Sequence, residues 1–312
     1  MNKIDVSIVI VCMNNLKNLY PCLSSIYKYT EVNYEVFVVA YLFSNKNLEK
    51  LREDYPWIKI IISSEIRGFS ENNNLALKHC MGEYCMILND DTIIDMPVVD
   101  MLIDSMKKTP SASIMSPKTL FKDGKVQSCG RPKMTIYTYY LSMLKLWKEQ
   151  KIKSTYTHQK GIFQSYNIVG AAFMIKTAIF KEFGFFDEQY FFCPEDIALS
   201  TLANKRGYKC YVNPDVQIIH IGHATASMVR VGTLPASIRG SLLFYTQNSL
   251  IRKITLRIFL SFILLLRIFY WRFKSLTYNE KAYIMYISNK NSLYAIFSSK
   301  SPKEIFMKFY KK

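Results

Sequence analysis

The stretch Tyr84-Cys-Met-Ile-Leu-Asn-Asp-Asp91 decides the fold. An apolar run from Tyr84 to Leu88 stops abruptly at Asn89-Asp90-Asp91. A run this short, without apolar–polar alternation, is the pattern of a strand covered on both faces. Upstream lie three runs of the same kind: Val6-Ser-Ile-Val-Ile-Val11, Tyr34-Glu-Val-Phe-Val-Val39 and Ile58-Lys-Ile-Ile-Ile62. Helical spacing reaches Tyr29 after the polar turn Asn14-Asn15, and recurs over 45–55. A turn at Arg67-Gly68 precedes a further helix, with Ser70 as its expected cap and Glu71 suited to the helix dipole. Doubly covered strands alternating with helices predict an α/β fold with a mainly parallel sheet flanked by helices.

Downstream, regular signals return at Ile168–Ile175, with a helix from Thr177 and a turn at Gly184-Phe-Phe-Asp187. Pro194 is placed to open a helix running to about Arg206, and Val216–Ile219 is a last apolar run, ending at His220. The stretch 133–163 is aromatic, basic and weakly periodic, and reads as an insertion or flexible loop. The organisation expected is a domain over 1–225 and a basic, aromatic helical tail over 226–312.

Half of the 312 residues are apolar and 21% are charged, so the chain can bury a core and is not disordered. Lys and Arg total 41 against 24 Asp and Glu, a net charge of +17 that points to an anionic partner. From Ile251 onward there are 13 Lys/Arg and 2 Glu, so 13 − 2 = +11 of that charge sits in the last 62 residues. The tail is aromatic and apolar, and no nucleic-acid-binding motif accompanies its charge, so nucleic acid is not the expected partner. The seven cysteines form no C-x-x-C pair and read as reduced thiols of a cytosolic protein. The first residues hold too short an apolar run for a signal peptide.

Within the tail, Ile258–Leu266 gives nine uncharged residues between Arg257 and Arg267, short of the about 20 that a spanning helix needs. On a helical wheel, Arg252, Lys253, Arg257, Arg267, Arg272 and Lys274 share roughly one half, while Ile251, Ile258, Phe259, Phe262, Phe269 and Phe273 occupy the other. Such a basic amphipathic helix fits an anionic leaflet surface. The alternative is a helix packed on the domain with a solvated charged face.

Three places carry chemistry. Asn89-Asp90-Asp91 lies past the carboxyl end of a strand, where α/β sheets bind ligands and where carboxylates can hold a hard cation bridging to phosphate. A surface turn uses the same residue types. Glu195-Asp196 follows Cys193-Pro194 at a helix start, where acids complement the dipole or where one acts as a general base. His220 closes an apolar run, as a structural imidazole or as the last donor of an oxygen-rich metal site.

The order of these places resembles a family 2 glycosyltransferase of the GT-A fold, of the kind that builds bacterial surface polysaccharides in a rhamnosyltransferase-like branch. The matching segments are Val6–Asn15, Arg67–Leu77, Gly82–Thr92, Val169–Ile175, Phe183–Glu188, Pro194–Asp196 and Gly207-Tyr208 leading to His220. The resemblance implies an inverting transfer of one sugar from a UDP- or dTDP-linked donor to a lipid-linked glycan acceptor, with Mn²⁺ or Mg²⁺. It assigns Asp91 and His220 to the metal, Asp196 with its neighbour Glu195 to catalysis, and Val11, Asn14, Ala40, Arg67, Gly68, Asn73, Asn89 and Asp90 to the donor. It also implies a cytoplasmic enzyme, peripheral on the inner face of the cell membrane.

The chain departs from the family pattern at Ala40 and Asn45, where acids usually stand, at Asn89 in the first place of D-x-D, and at Ala198 two residues beyond Asp196. These departures motivate a second reading, a non-catalytic binding or scaffold subunit on the same fold. The Q-x-x-R-W signature of processive synthases is absent from the sequence.

Overall fold

The computed structural model describes residues 3–146, 156–222, 229–276 and 280–310. They fall into two compact units: Met1–Lys133, Glu149–Asp187 and Asp196–Gly222 form the first, and Met134–Lys148, Glu188–Glu195 and His223–Lys312 the second.

In the first unit β1 (Val6–Met13), α1 (Leu16–Tyr29), β2 (Tyr34–Tyr41), α2 (Asn45–Asp54), β3 (Lys59–Ser63), α3 (Phe69–Leu77) and β4 (Tyr84–Asn89) alternate as the apolar runs predict. Next come β5 (Thr92–Ile93), α4 (Val98–Lys108), β6 (Ala112–Leu120) and β7 (Val126–Ser128). After α5 (Ile136–Met143), which belongs to the second unit, follow β8 (Phe163–Ser165), β9 (Ala172–Lys176), α6 (Thr177–Glu182), α7 (Glu195–Lys205) and β10 (Lys209–His220).

The strands join one sheet in the order β3-β2-β1-β4-β9-β6-β10-β5, with β7 beside β6 and β8 beside β10. The first four strands of that order are parallel. β9 then runs against both β4 and β6, and β6 and β10 are parallel again. The parallel sheet expected from the first half is therefore continued by a mixed second half. Because β9 reverses twice, β4, β6 and β10 still point the same way, and their carboxyl ends share one edge with those of β1, β2 and β3.

The unbroken apolar runs have a direct cause. Val6, Ile8, Ile10 and Cys12 of β1 pack with α1, α2 and α4 on one face, while Val9 packs with α3, α6 and α7 on the other. β2, β4 and β9 divide their residues in the same alternating way. A strand buried on both faces has no position at which water favours a polar side chain.

The cap expected at Ser70 lies elsewhere. Gly68 is the N-cap of α3, Ser70 is buried inside the first turn, and the Glu71 carboxylate accepts the Gly68 N–H at 3.0 Å. The glutamate thus satisfies a backbone donor that has no partner within the helix.

The second unit gathers α5 with α8 (Arg230–Thr246), α9 (Leu250–Ser275), α10 (Glu280–Phe297) and α11 (Pro302–Tyr310). Part of the stretch expected to be an insertion or loop is thus a helix. Tyr139 of α5 stacks on Tyr245 at 4.6 Å, and Tyr140 meets Phe259 edge-on at 4.5 Å. These ring contacts explain its aromatic composition. Positions 147–155 of the same stretch lie outside the described residues. Phe306 of α11 packs on Phe191 at 4.6 Å, and a Cβ at Gly232 would sit 2.9 Å from its ring.

Candidate active site at the carboxyl edge of the sheet

β4 ends at Asn89 and β10 at His220, so the shared strand direction brings the Asn89-Asp90-Asp91 turn and the histidine to one edge. His220 pairs with Thr92 across β10 and β5, which fixes their register. Asp91 and His220 then meet: Oδ1 lies 3.2 Å from Nε2, with both side chains largely buried. The other Asp91 oxygen accepts the Gly222 N–H at 3.0 Å, and the Asp91 carbonyl accepts the Ile221 N–H at 3.0 Å.

The imidazole is held on its second nitrogen by a residue not singled out in the sequence. Gln127, on β7, places Oε1 2.6 Å from His220 Nδ1. The Asn89 amide donates from Nδ2 to His220 Nε2 over 3.3 Å. Nδ1 therefore faces the Gln127 carbonyl oxygen, while Nε2 faces both the Asn89 amide and the Asp91 carboxylate. Such an arrangement orients a metal-ligating histidine.

A carboxylate oxygen and an imidazole nitrogen this close suit a divalent ion. Oxygen and nitrogen ligands at about 2.1 Å and at right angles stand about 3 Å apart. Among the described residues no group of three or more His, Cys, Asp or Glu gathers into a metal site. An ion here would take two donors from the protein and complete its shell with ligand oxygens and water.

Asp90 behaves differently from its neighbour. It is buried, and this burial, reinforced by the Asp91 charge, pushes its carboxyl up to about 7 against the lowering effect of the Cys12 thiol. Its Oδ2 has no hydrogen-bond partner.

Asp196, in the first turn of α7, is tied from both sides. Arg131 donates from Nη1 to Oδ2 at 2.9 Å, the Gly170 N–H donates to the same oxygen at 3.2 Å, and the Ile197 N–H donates to Oδ1 at 2.8 Å. Gly170 immediately precedes Ala171, whose carbonyl accepts the Asn89 N–H at 2.9 Å, so Asp196 is anchored to the same sheet edge. A Cβ on Gly170 would stand 3.3 Å from the Asp196 carboxylate, which is why this close backbone approach suits glycine. Arg131 is itself pinned by paired backbone bonds with Asn167 at 2.9 and 3.1 Å and by Ser165 Oγ at 3.0 Å. Glu195, beside Asp196 in sequence, belongs to the second unit.

The expected donor-side residues are spread over the last parts of β1 and β2, the turn after β1 and the first turns of α3. Val11 lies in β1 opposite Val39 and Asn89. Asn14 has φ of 49° and accepts at Oδ1 from the Ser44 N–H and the Asn47 amide, joining the end of β1 to the start of α2. Ala40 is fully buried between Cys12 and Ile62, so its side chain presents no surface to a ligand. Asn45 begins α2, behind a Ser44 cap. Arg67 reaches Ser63 Oγ at 3.2 Å and Glu65 at 2.7 Å, and Gly68 caps α3. Asn73 is buried, donates to the Phe69 carbonyl at 2.9 Å, and leaves Oδ1 without a partner. Its neighbours are structural: Asn72 bonds Ser63 and Arg67, and Asn74 bonds both the N–H and the carbonyl of Phe186.

The family model for glycosyl transferase family 2 matches residues 7–183, more than half of the chain and including the Asn89-Asp90-Asp91 turn. The chain belongs to glycosyl transferase family 2.

Within this family it is similar to the O-antigen biosynthesis protein RfbC of Myxococcus xanthus, 24% identical over 196 residues, which are 62% of this chain and 14% of that protein. The chain thus spans about a seventh of that relative's length. Three solved structures share the fold. GalNAc-T7 with UDP, GalNAc and Mn²⁺ aligns with a TM-score of 0.55 at 16% identity, over 70% of this chain and 44% of its own. The mannosyltransferase PcManGT of Pyrobaculum calidifontis, in complex with GDP-Man and Mn²⁺, aligns with 0.53 at 15%, over 93% and 85%. S. aureus TarS 1-349 aligns with 0.50 at 17%, over 83% and 71%. The fold of this family 2 chain is therefore the GT-A glycosyltransferase fold.

Proposed function

We propose that this family 2 chain is an inverting glycosyltransferase that moves one sugar from a nucleotide-sugar to a hydroxyl of a lipid-linked glycan during surface polysaccharide synthesis. The observation that carries the reading is the meeting, on one sheet edge, of Asp91 with His220, together with an anchored carboxylate at Asp196. The O-antigen relative and the Mn²⁺- and nucleotide-bound neighbours support the same direction.

Asp91 Oδ1 and His220 Nε2 would hold Mn²⁺ or Mg²⁺ beside the donor diphosphate. The ion, when bound, offsets charge that develops on the departing nucleoside diphosphate. A UDP- or dTDP-linked donor is assigned to Val11, Asn14, Arg67, Gly68, Asn73, Asn89 and Asp90, with Ala40 in the strand beneath. Asp196 accepts the proton of the acceptor hydroxyl as that oxygen attacks the anomeric carbon, so a single displacement inverts the configuration. Arg131 and the Gly170 N–H fix the carboxylate for this task, and Glu195 adds a second acid at the start of the same helix. Residues 226–312 supply a basic, membrane-associating tail that keeps the enzyme peripheral on the inner face of the cell membrane, near its acceptor.

Asp196→Asn tests the assignment of the base. Loss of donor-dependent transfer, with circular dichroism and Mn²⁺ binding kept, is the expected result. Unchanged turnover overturns the role given to Asp196. A wild-type protein that binds no nucleotide and turns over no donor favours the scaffold reading, to which Ala40 and Ala198 point.

A further inference from the structure

α9 runs unbroken for 26 residues from Leu250 to Ser275, longer than the uncharged segment at its centre had suggested. Its neighbours pack on the side carrying Leu256, Leu260, Ile263 and Leu264. At about 3.6 residues per turn that side lies opposite the row Ile251, Ile258, Phe262, Leu265, Phe269 and Phe273. The row faces water: Ile258 is 66% exposed, Phe262 62%, Phe269 78% and Phe273 71%. The helix is therefore covered through Leu256, Leu260, Ile263 and Leu264, while the large apolar row and the charged Arg252, Arg272 and Lys274 are all exposed. Arg267, on the charged half, donates to the Met143 carbonyl, while the large apolar side chains are left outside.

We propose that this outer face of α9 docks on an anionic lipid bilayer and lies in its interfacial plane. The inference deepens the peripheral-membrane part of the proposed function and rests on it. Three observations select lipid as the occupant. The stripe is continuous over 23 residues, or about 33 Å of helix. α9 contains no acidic residue, its exposed Arg272 borders the stripe while exposed Arg252 and Lys274 stand near the two ends of the helix, and the segment from Ile251 onward carries a net charge of +11. Finally, Leu265 also walls an open groove of about 710 Å³ shared with α10, lined by Leu293, Tyr294, Phe297 and Lys290, a slot of mainly apolar lining beside an ammonium group. Apolar side chains entering the acyl boundary, with cations at headgroup level, make the interfacial arrangement.

By length and composition alone α9 could cross a bilayer. Its inner face argues against crossing, because that face is committed to α8 and α10, and the latter carries Glu280, Lys281 and Lys290. Charged side chains of this kind are costly within hydrocarbon.

Co-sedimentation of the full chain with phosphatidylcholine vesicles, with and without phosphatidylglycerol, tests the proposal. The expected result is binding that requires phosphatidylglycerol and falls about tenfold or more in the Phe262→Ser/Phe269→Ser/Phe273→Ser variant. Circular dichroism and donor hydrolysis should be unchanged in that variant. A Phe269→Cys protein carrying an environment-sensitive dye should shift to the blue on anionic vesicles. Equal binding by wild type and the triple variant overturns the docking face while leaving a peripheral enzyme intact. Failure of the wild type to bind anionic vesicles overturns both. A dimer that the triple variant abolishes, without vesicle binding, overturns the lipid assignment in favour of self-association.

Discussion

Arg131 Nη1 lies 2.9 Å from Asp196 Oδ2, an ion pair between a loop after β7 and the first turn of α7. The guanidinium orients the carboxylate. Arg131→Ala should lower the turnover number by about ten- to a hundredfold with a smaller change in KM, and Arg131→Lys should restore part of it. Equal losses in the two variants, or a loss confined to KM, would remove Arg131 from the positioning of Asp196.

Gln127 holds His220 at Nδ1 from behind. Replacing it with Ala should weaken Mn²⁺ binding by about ten- to a hundredfold, the range for outer-shell partners of metal ligands. Asp91→Asn should weaken it further. Paramagnetic resonance of free Mn²⁺ reads both effects without turnover, and wild-type affinity in the Gln127 variant would place the ion elsewhere.

Gly170→Ala adds a carbon 3.3 Å from the Asp196 carboxylate. Transfer should fall while Mn²⁺ binding stays at the wild-type level, because only the base is displaced. Parallel loss of both would show that the loop supports the whole edge instead.

Away from the site, Glu35 is buried at the amino-terminal end of β2. Burial alone would raise its carboxyl, but Lys59 at 2.5 Å, Ser7 at 2.5 Å and the Met81 N–H at 2.9 Å hold it below the ordinary range. A lowered folded value stabilises the protein above the ordinary glutamate pKa, and this contribution is lost as pH falls through the folded value. Glu35→Gln should cost about 1–3 kcal/mol at neutral pH, and the deficit should narrow below about pH 4. Urea melts across pH check this; a constant difference would deny the linkage.

The sequence makes β1, β2 and β4 plain because burial on both faces leaves runs of apolar residues and nothing else. β6 was not legible in the same way. It carries Ser113, Ser116, Pro117 and Thr119, and its small polar groups are buried: Thr119 Oγ1, for example, bonds the Ser128 carbonyl at 3.0 Å. Asp91, Asp196 and His220 could be named because they follow strand ends or open a helix in a recognisable order. Gln127 and Arg131 could not, since their partners stand 93 and 65 residues away and only the folded sheet edge joins them. For α9 a helical wheel separates an apolar from a basic half, yet it is silent on which half the neighbouring helices cover. That choice depended on α8 and α10.

The most direct measurement is release of nucleoside diphosphate from a panel of UDP-, dTDP- and GDP-sugars by the full chain with Mn²⁺, alongside Asp91→Asn. Turnover of one donor that needs the ion and collapses in the variant is the expected result. A wild-type chain that cleaves no donor, even with acceptor lipid supplied, and binds no nucleoside diphosphate would contradict a glycosyltransferase site at this edge.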